Sequence, residues 1–286
     1  MVRQCRQKTC DRMKLNIYVP RNKEDSKCWR VFSPFMLGWD DETHIEHDYI
    51  EREGMAMFWG LVGQNSQMID NIRGHYLFSD MGYFGRYNAL QEAIDPSADF
   101  YWRICIDGMH NNILYHSHPP DRFEKFGIEV ARKQKKGSEI IICPSSESVT
   151  MHHHNISVAQ WLEIVTEQIR ENSLRPYRIR HKPRKNGTSG PAVADVSFEE
   201  DIKDAYCVIT AASMAGVEAI IHGVPVIETS VEGPVGNCHG KLFGKELHDL
   251  KWNRDEVMHR LSGLAYSQFN HEEMANGFAR EVIQSV

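Results

Sequence analysis

Short apolar runs separated by polar loops dominate the first half of the chain: KLNIYVP (14–20), AMFWGLVG (56–63), HYLFSD (75–80) and FYWRICID (100–107). Runs of this length, rich in Ile, Val, Tyr and Phe and bounded by Gly, Pro, Asn and Asp, predict strands. NSQMIDNIRG (65–74) lies between two of them and predicts a short crossover helix, hence an α/β layer. Residues 21–54 are acidic and poorly periodic and predict no element.

The second half is more regular. EIIICPSS (139–146) reads as a buried strand ending in a hydroxyl-rich turn. SVAQWLEIVTEQIREN (157–172) places Val158, Trp161, Leu162, Val165 and Ile169 on one helical stripe, with Ser157 and Gln160 spaced as a capping box. Next come a strand YRIRHK (177–182), a loop NGTSGP (186–191), a helix SFEEDIKDA (197–205), a strand YCVIT (206–210), a helix within SMAGVEAII (213–221) and a strand PVIE (225–228). Strands joined by such long crossovers predict a parallel, doubly wound sheet. The expected organisation is an extension over 1–12 without regular structure, α/β domains over 13–126 and 127–265, and a C-terminal helix over 266–286 that packs back on the first domain.

The 286 residues suffice for two packed cores. A mean hydropathy of -0.48 and the lack of any long apolar run predict no membrane-spanning helix and a cytoplasmic protein. Seven cysteines without CxxC pairs predict reduced thiols. The formal net charge of -6 gives no global attraction to nucleic acid, so such a role would fall to RPYRIRHKPRK (175–185), whose plain alternative is a solvated basic edge.

In a doubly wound sheet, ligands sit at the carboxyl ends of the strands. Four such ends carry polar groups here: Ser145 and Ser146, Arg180 and Lys182, Thr210 to Ser213, and Glu228 to Ser230. Ser213 is the expected N-cap of the helix over 213–221, with Gly216 in its first turn, so its free amides and dipole favour an anion. Arg180 and Lys182 would add the full charge that a diphosphate needs. Glu218, opposite the apolar face of Val217, Ile220 and Ile221, would repel phosphate but can accept two hydroxyl hydrogen bonds from a ribose; a solvent-facing helical glutamate is the alternative.

The stretch CVITAASMAGVEAIIHGVPVIE (207–228) resembles the nucleotide-binding segment of GT-B glycosyltransferases and related sugar-nucleotide epimerases. With HYLFSDMGYFGR (75–86), YWRICIDGMHNN (101–112), IIICPSS, YRIRHKPR and LAYSQFNHEEMANGFA (264–279), the chain is most similar to small bacteriophage glycosyltransferase-like proteins. The resemblance implies two Rossmann-like domains facing a cleft, and a nucleotide-sugar co-substrate (UDP most often). It makes Glu218 the ribose ligand, Ser213 with the Met214–Gly216 backbone the diphosphate ligand, Arg180 and Lys182 its neutralisers, and Ser145 and Ser146 lining residues. It also implies metal-independent chemistry.

Sugar transfer to a hydroxyl needs a base. Asp80 closes an apolar strand and precedes a glycine that would let a ligand approach; an aspartate that merely caps a turn is the alternative. Arg103 and Asp107 are secondary candidates, and His110 is a rival base. The three imidazoles of MHHHN (151–155) should diverge rather than share a metal, so no metal is expected. HSH (116–118) and WDDE (39–42) are looser still. The phage resemblance implies a hydroxylated base in double-stranded DNA as acceptor, with Tyr83, Phe84, Tyr101 and Trp102 available for stacking. A surface polysaccharide or small molecule is the alternative acceptor, and a non-catalytic sugar-nucleotide module or an epimerase the alternative function.

Overall fold

The computed structural model describes residues 13–19, 27–61, 63–110, 117–182, 196–236 and 245–285. The basic N-terminal extension, the NGTSGP loop and His116 lie outside them. The strands are β1 (Leu15–Tyr18), β2 (Thr43–Glu46), β3 (Met55–Trp59), β4 (Tyr76–Met81), β5 (Trp102–Ile106), β6 (Glu139–Cys143), β7 (Tyr177–Ile179), β8 (Ala205–Thr210), β9 (Val226–Glu228) and β10 (Gln268–Phe269). They form one sheet in the order β10-β5-β4-β3-β1-β2 and a second in the order β7-β6-β8-β9. The second sheet is wholly parallel. In the first, β1 to β4 are parallel, but β5 runs antiparallel to β4 and β10 antiparallel to β5. The antiparallel run of β5 departs from a purely parallel winding: β5 starts beside the carboxyl end of β4 at Met81 and carries the chain back toward Leu77.

The helices used below are α1 (Trp29–Leu37), α2 (Asn65–Asn71), α4 (Asp121–Glu124), α5 (Glu147–His154), α6 (Val158–Asn172), α7 (Phe198–Asp201), α8 (Met214–Ile221), α9 (Arg254–Tyr266), α10 (His271–Ala275) and α11 (Phe278–Gln284); α3 (Ala89–Ile94) lies at the surface. Period-two alternation sorts each strand between two cores. Leu15, Ile17, Met57, Leu77 and Ile104 meet Phe32 and Phe35 of α1 together with Met274 and Ile283 of α10 and α11. Tyr18, Phe58, Phe78 and Cys105 face Met68 and Ile69 of α2. In the second sheet Ile141, Val208 and Val226 cover α8 and α9, while Ile140, Ile142, Ile209 and Ile227 cover Trp161, Val165 and Ile169 of α6. Each of those three α6 side chains is buried and contributes roughly 1.5–3 kcal/mol. The predicted capping box at Ser157 and Gln160 is present.

Residues 21–54, which predicted nothing, hold α1 and the edge strand β2 in their described part. The tail is more than a helix, because β10 completes the first sheet and α10 packs against α1. Arg122 of α4 fastens this return. Its guanidinium donates to the Ala265 and Gln268 carbonyls and to both carboxylate oxygens of Glu273. Gln268 in turn accepts from the Tyr83 and Phe84 amides.

Candidate functional site

The carboxyl ends of β6, β7, β8 and β9 bring Ser145, Arg180 with Lys182, Ser213 and Thr229 to one edge of the second sheet. Ser145 Oγ accepts from the Ala212 amide at 3.2 Å, tying the loops after β6 and β8 together. Ser213 is the N-cap of α8 and accepts from the Ala215 amide at 3.3 Å. Ser146 is exposed and precedes α5 without a side-chain cap bond.

Glu218 projects from α8 on the side opposite buried Val217, Ile220 and Ile221. It keeps exposed surface yet is flanked by protein, the situation of a side chain on the wall of a cleft. Burial raises its pKa, and Arg86, Arg180 and Lys182 pull against that rise. Arg86 was not singled out in the sequence; the signal it offered was a charged residue straight after the YFG turn. It too keeps exposed surface, and its pKa falls through desolvation while Asp80 and Glu218 oppose the fall. Arg86 therefore feels the charge both of Glu218 on α8 and of Asp80 in β4.

Asp80 and Arg103 are register partners across β4 and β5. Arg103 Nη2 donates to Asp80 Oδ2 at 2.7 Å, and Asp80 Oδ1 accepts from the Met81 amide at 2.7 Å. Burial opposes the Arg103 charge, but Asp80, aided by Tyr83 and Cys105, outweighs it and raises the pKa. Arg103 Nη1 lies 2.9 Å from His110 Nδ1, and Tyr83 Oη lies 3.0 Å from the same nitrogen.

Several expectations change. His110 is buried, and desolvation with the Arg103 charge pushes its pKa well below the usual imidazole value, so it is a poor base and holds Arg103 instead. Arg103 sits over the Phe78 and Tyr83 rings rather than on a solvent face. Tyr83, Phe84 and Trp102 are buried and cannot stack on a nucleic-acid base. Gly82 admits the Tyr101 backbone rather than a ligand, since a Cβ there would lie 2.4 Å from the Tyr101 carbonyl oxygen. Gly216 likewise serves packing: its amide donates to the Ser213 carbonyl, and a Cβ would stand 2.9 Å from Val235 Cγ2. Asp107, at φ 54°, holds His75 Nδ1 at 2.7 Å and the Tyr76 amide at 2.9 Å. Within WDDE, Asp40 and Asp41 pair with Arg280.

The basic run is largely engaged in its described part. Arg180 pairs with Asp201 and lies over Phe198, Arg178 pairs with Glu139 and Asp201, and Arg175 lies over Tyr206. Arg184 and Lys185 lie outside the described residues. The imidazoles of α5 do not diverge, because His152, His153 and His154 share the wall of a cavity of about 420 Å³ between the two sheets, together with Asp70, Tyr76 and Glu232. His154 Nε2 lies 3.1 Å from Thr229 Oγ1, which also accepts from Trp161 Nε1.

No protein-family model matches the sequence, and no curated protein sequence matches it. Two solved structures from Thermosulfurimonas dismutans are similar in fold. The KpsC β-Kdo 2,7 transferase matches with a TM-score of 0.51 and 14% identity, over 94% of this chain and 99% of that one. The KpsC β-Kdo 2,4 transferase matches with a TM-score of 0.51 and 12% identity, over 95% and 98%. The fold is GT-B-like. At such identities the likeness extends to architecture, two Rossmann-like units with a cleft between them. Among the described residues no helix is long and apolar enough to cross a membrane.

Proposed function

We propose that the chain is a glycosyltransferase that moves a sugar from a nucleotide-sugar donor to a hydroxyl acceptor in the cleft between the two sheets. The arrangement that supports this reading is Glu218 of α8 within the electrostatic reach of Arg180 and Lys182 after β7 and of Arg86 after β4, together with the Asp80–Arg103 pair at the carboxyl end of β4. A carboxylate beside three cations suits a nucleotide whose ribose hydroxyls donate and whose phosphate oxygens accept.

In the proposed reaction the acceptor oxygen attacks the anomeric carbon, Asp80 takes the hydroxyl proton, and the glycosidic bond to phosphate breaks with its electron pair leaving on the phosphate oxygen. Arg86, Lys182 and the dipole of α8 stabilise that charge. Arg180, held by Asp201, adds to the field but is not free to wrap the phosphate. In this scheme these cations take the place of a metal. Ser145 ties the loops after β6 and β8 together beside the phosphates, and Ser213 caps α8 there.

The acceptor we favour is a glycan hydroxyl, in line with the sugar transfer named for both structural neighbours. A hydroxylated DNA base, implied by the phage resemblance, would need open cations and stacking rings; Arg178 and Arg180 are paired, and three of the four candidate rings are buried.

The test is a thermal-shift panel of UDP-, GDP-, ADP-, CDP- and CMP-sugars on wild type and Glu218→Ala. One nucleotide class should stabilise the wild type and lose most of that effect in the variant. Equal shifts in both proteins would remove Glu218 from the site, and no shift with any donor would reject the reading.

A further inference from the structure

The cavity beside α5 has chemistry that the proposed transfer does not use. Helix α5 ends at Asn155, whose left-handed conformation (φ 55°) turns the chain away and leaves His152 and His153 on the cavity wall. Glu232 reaches the same space from the turn after β9, and Asp70 from α2 under the first sheet. His152, His153 and Glu232 place one ligand atom each within 4.8 Å of one another. The His153 side chain is 3% exposed and that of His152 11%.

These imidazoles are not held as a hydrogen-bonded structural pair would be. His153 Nε2 and His152 Nδ1 are buried and have no hydrogen-bond partner among the described residues. His152 Nδ1 lies 3.1 Å from Asp70 Oδ1 but out of line for a hydrogen bond, and His153 Nδ1 is 4.0 Å from Glu232 Oε2. Buried polar nitrogens facing a polar cavity carry an uncompensated desolvation cost that a bound ligand can remove.

We propose that His152, His153 and Glu232 bind one divalent transition-metal ion in this cavity. Two imidazoles and a carboxylate suit Zn²⁺, Co²⁺ or Ni²⁺ rather than Mg²⁺ or Ca²⁺, which take all-oxygen shells. Ligand atoms around a tetrahedral ion stand about 3.3–3.5 Å apart, so closing the trio needs side-chain rotation on the order of 1 Å. The same small rotation would bring His152 Nδ1 into line with Asp70 Oδ1, 3.1 Å away, leaving Nε2 for the ion, and the fourth position opens on the cavity. Three ligands come from the second-sheet unit and the orienting carboxylate from the first, so the ion fastens the two across the cleft. No residue is shared with the Asp80 and Glu218 walls, so this binding stands or falls independently of the transfer reaction.

The experiment uses tag-free full-length protein stripped with a chelator, titrated with Co²⁺ and followed by visible absorption and thermal denaturation. Expected are saturation at about one equivalent, d–d absorption without the near-ultraviolet thiolate band that cysteine ligation would give, and a rise in Tm. Glu232→Gln, at a half-exposed position where folding is not at stake, and His153→Ala should each weaken binding by about tenfold or more and lose the Tm rise. His154→Ala should leave both intact. Absence of d–d absorption, appearance of the thiolate band, or unchanged affinity in Glu232→Gln would overturn the proposal.

Discussion

Asp80 and Arg103 face each other directly across β4 and β5, 2.7 Å apart, with the Arg103 side chain 8% exposed and that of Asp80 34%. The pair is asymmetric: the cation is buried and depends on the carboxylate more than the reverse. Asp80→Ala should therefore cost about 2–4 kcal/mol in urea unfolding, toward the lower end of a broken buried pair because Asp80 retains water on one side. Asp80→Ala/Arg103→Met should recover part of that loss, since no unpaired guanidinium remains. Equal stability of the single and double variants would mean that the unpaired guanidinium carries no cost.

The proposed catalytic role of Asp80 separates from this structural one in Asp80→Asn. The amide keeps an acceptor toward the Met81 amide but cannot take a proton. Turnover should fall by about 10²-fold or more, while the donor-induced Tm shift is retained. A loss of activity no larger than the loss of folded protein at the assay temperature would leave Asp80 as a scaffold residue only.

Donor affinity should depend on pH through Glu218. Its pKa lies above the ordinary 4.5 because burial outweighs Arg86, Arg180 and Lys182. In the proposed site the ionised form would accept the two ribose hydroxyls, so affinity should be full above that raised pKa and decline as pH falls through it. Glu218→Gln should bind more weakly at neutral pH and lose this acidic limb, as titration calorimetry across pH would register. An acidic limb that persists in the variant would assign the titration to another group.

Much of the second-sheet unit is legible in the sequence, because apolar runs of strand length alternate with a stripe such as Trp161, Val165 and Ile169, and local capping at Ser157 and Ser213 marks the helix starts. The first sheet is less so. Whether WRICI runs parallel or antiparallel depends on where the chain re-enters, and the pairing of Gln268 and Phe269 with it spans most of the chain length. The site divides the same way. Glu218 stands out because a carboxylate interrupts an apolar helix, but the approach of Arg86 to it is tertiary. Gly82 and Gly216 look like ligand-contact glycines and turn out to admit backbone and Val235, a distinction that composition cannot carry. Adjacent histidines on a helix should diverge, yet all three line one cavity, with His154 turned to Thr229 and His152 and His153 brought near Glu232 from another loop.

Gly216→Ala tests the packing assignment. Alanine gains about 1 kcal/mol over glycine within a helix. The added methyl meets Val235 Cγ2 at 2.9 Å in a closed core, an overpacking that costs about 1–3 kcal/mol. The net effect should be a loss of about 0–2 kcal/mol with the donor-induced Tm shift preserved. A variant that is as stable as wild type but fails to bind donor would restore Gly216 to the phosphate site.

Glu228 gives the fold its own pH dependence. The residue is 3% exposed at the end of β9; its Oε2 accepts from the Val235 amide at 2.8 Å and the Gly236 amide at 2.5 Å, while Oε1 has no hydrogen-bond partner among the described residues. Gly233 makes the turn possible, since a Cβ there would lie 2.0 Å from the Glu228 Cδ. Burial raises the pKa well above 4.5, and the two amides with Arg260 oppose this without cancelling it. A folded pKa above the unfolded one means that folding takes up a proton, so this contribution is fully present below pH 4.5 and lost as pH rises through the folded value. Glu228→Gln keeps an acceptor for both amides and removes the ionisation, although its new N–H groups find no partner. The variant should be slightly less stable than wild type near about pH 4 and more stable by about 1–3 kcal/mol near about pH 8, flattening the profile. Urea midpoints across that range provide the measurement, and parallel profiles for the two proteins would show that Glu228 does not titrate in the folded state.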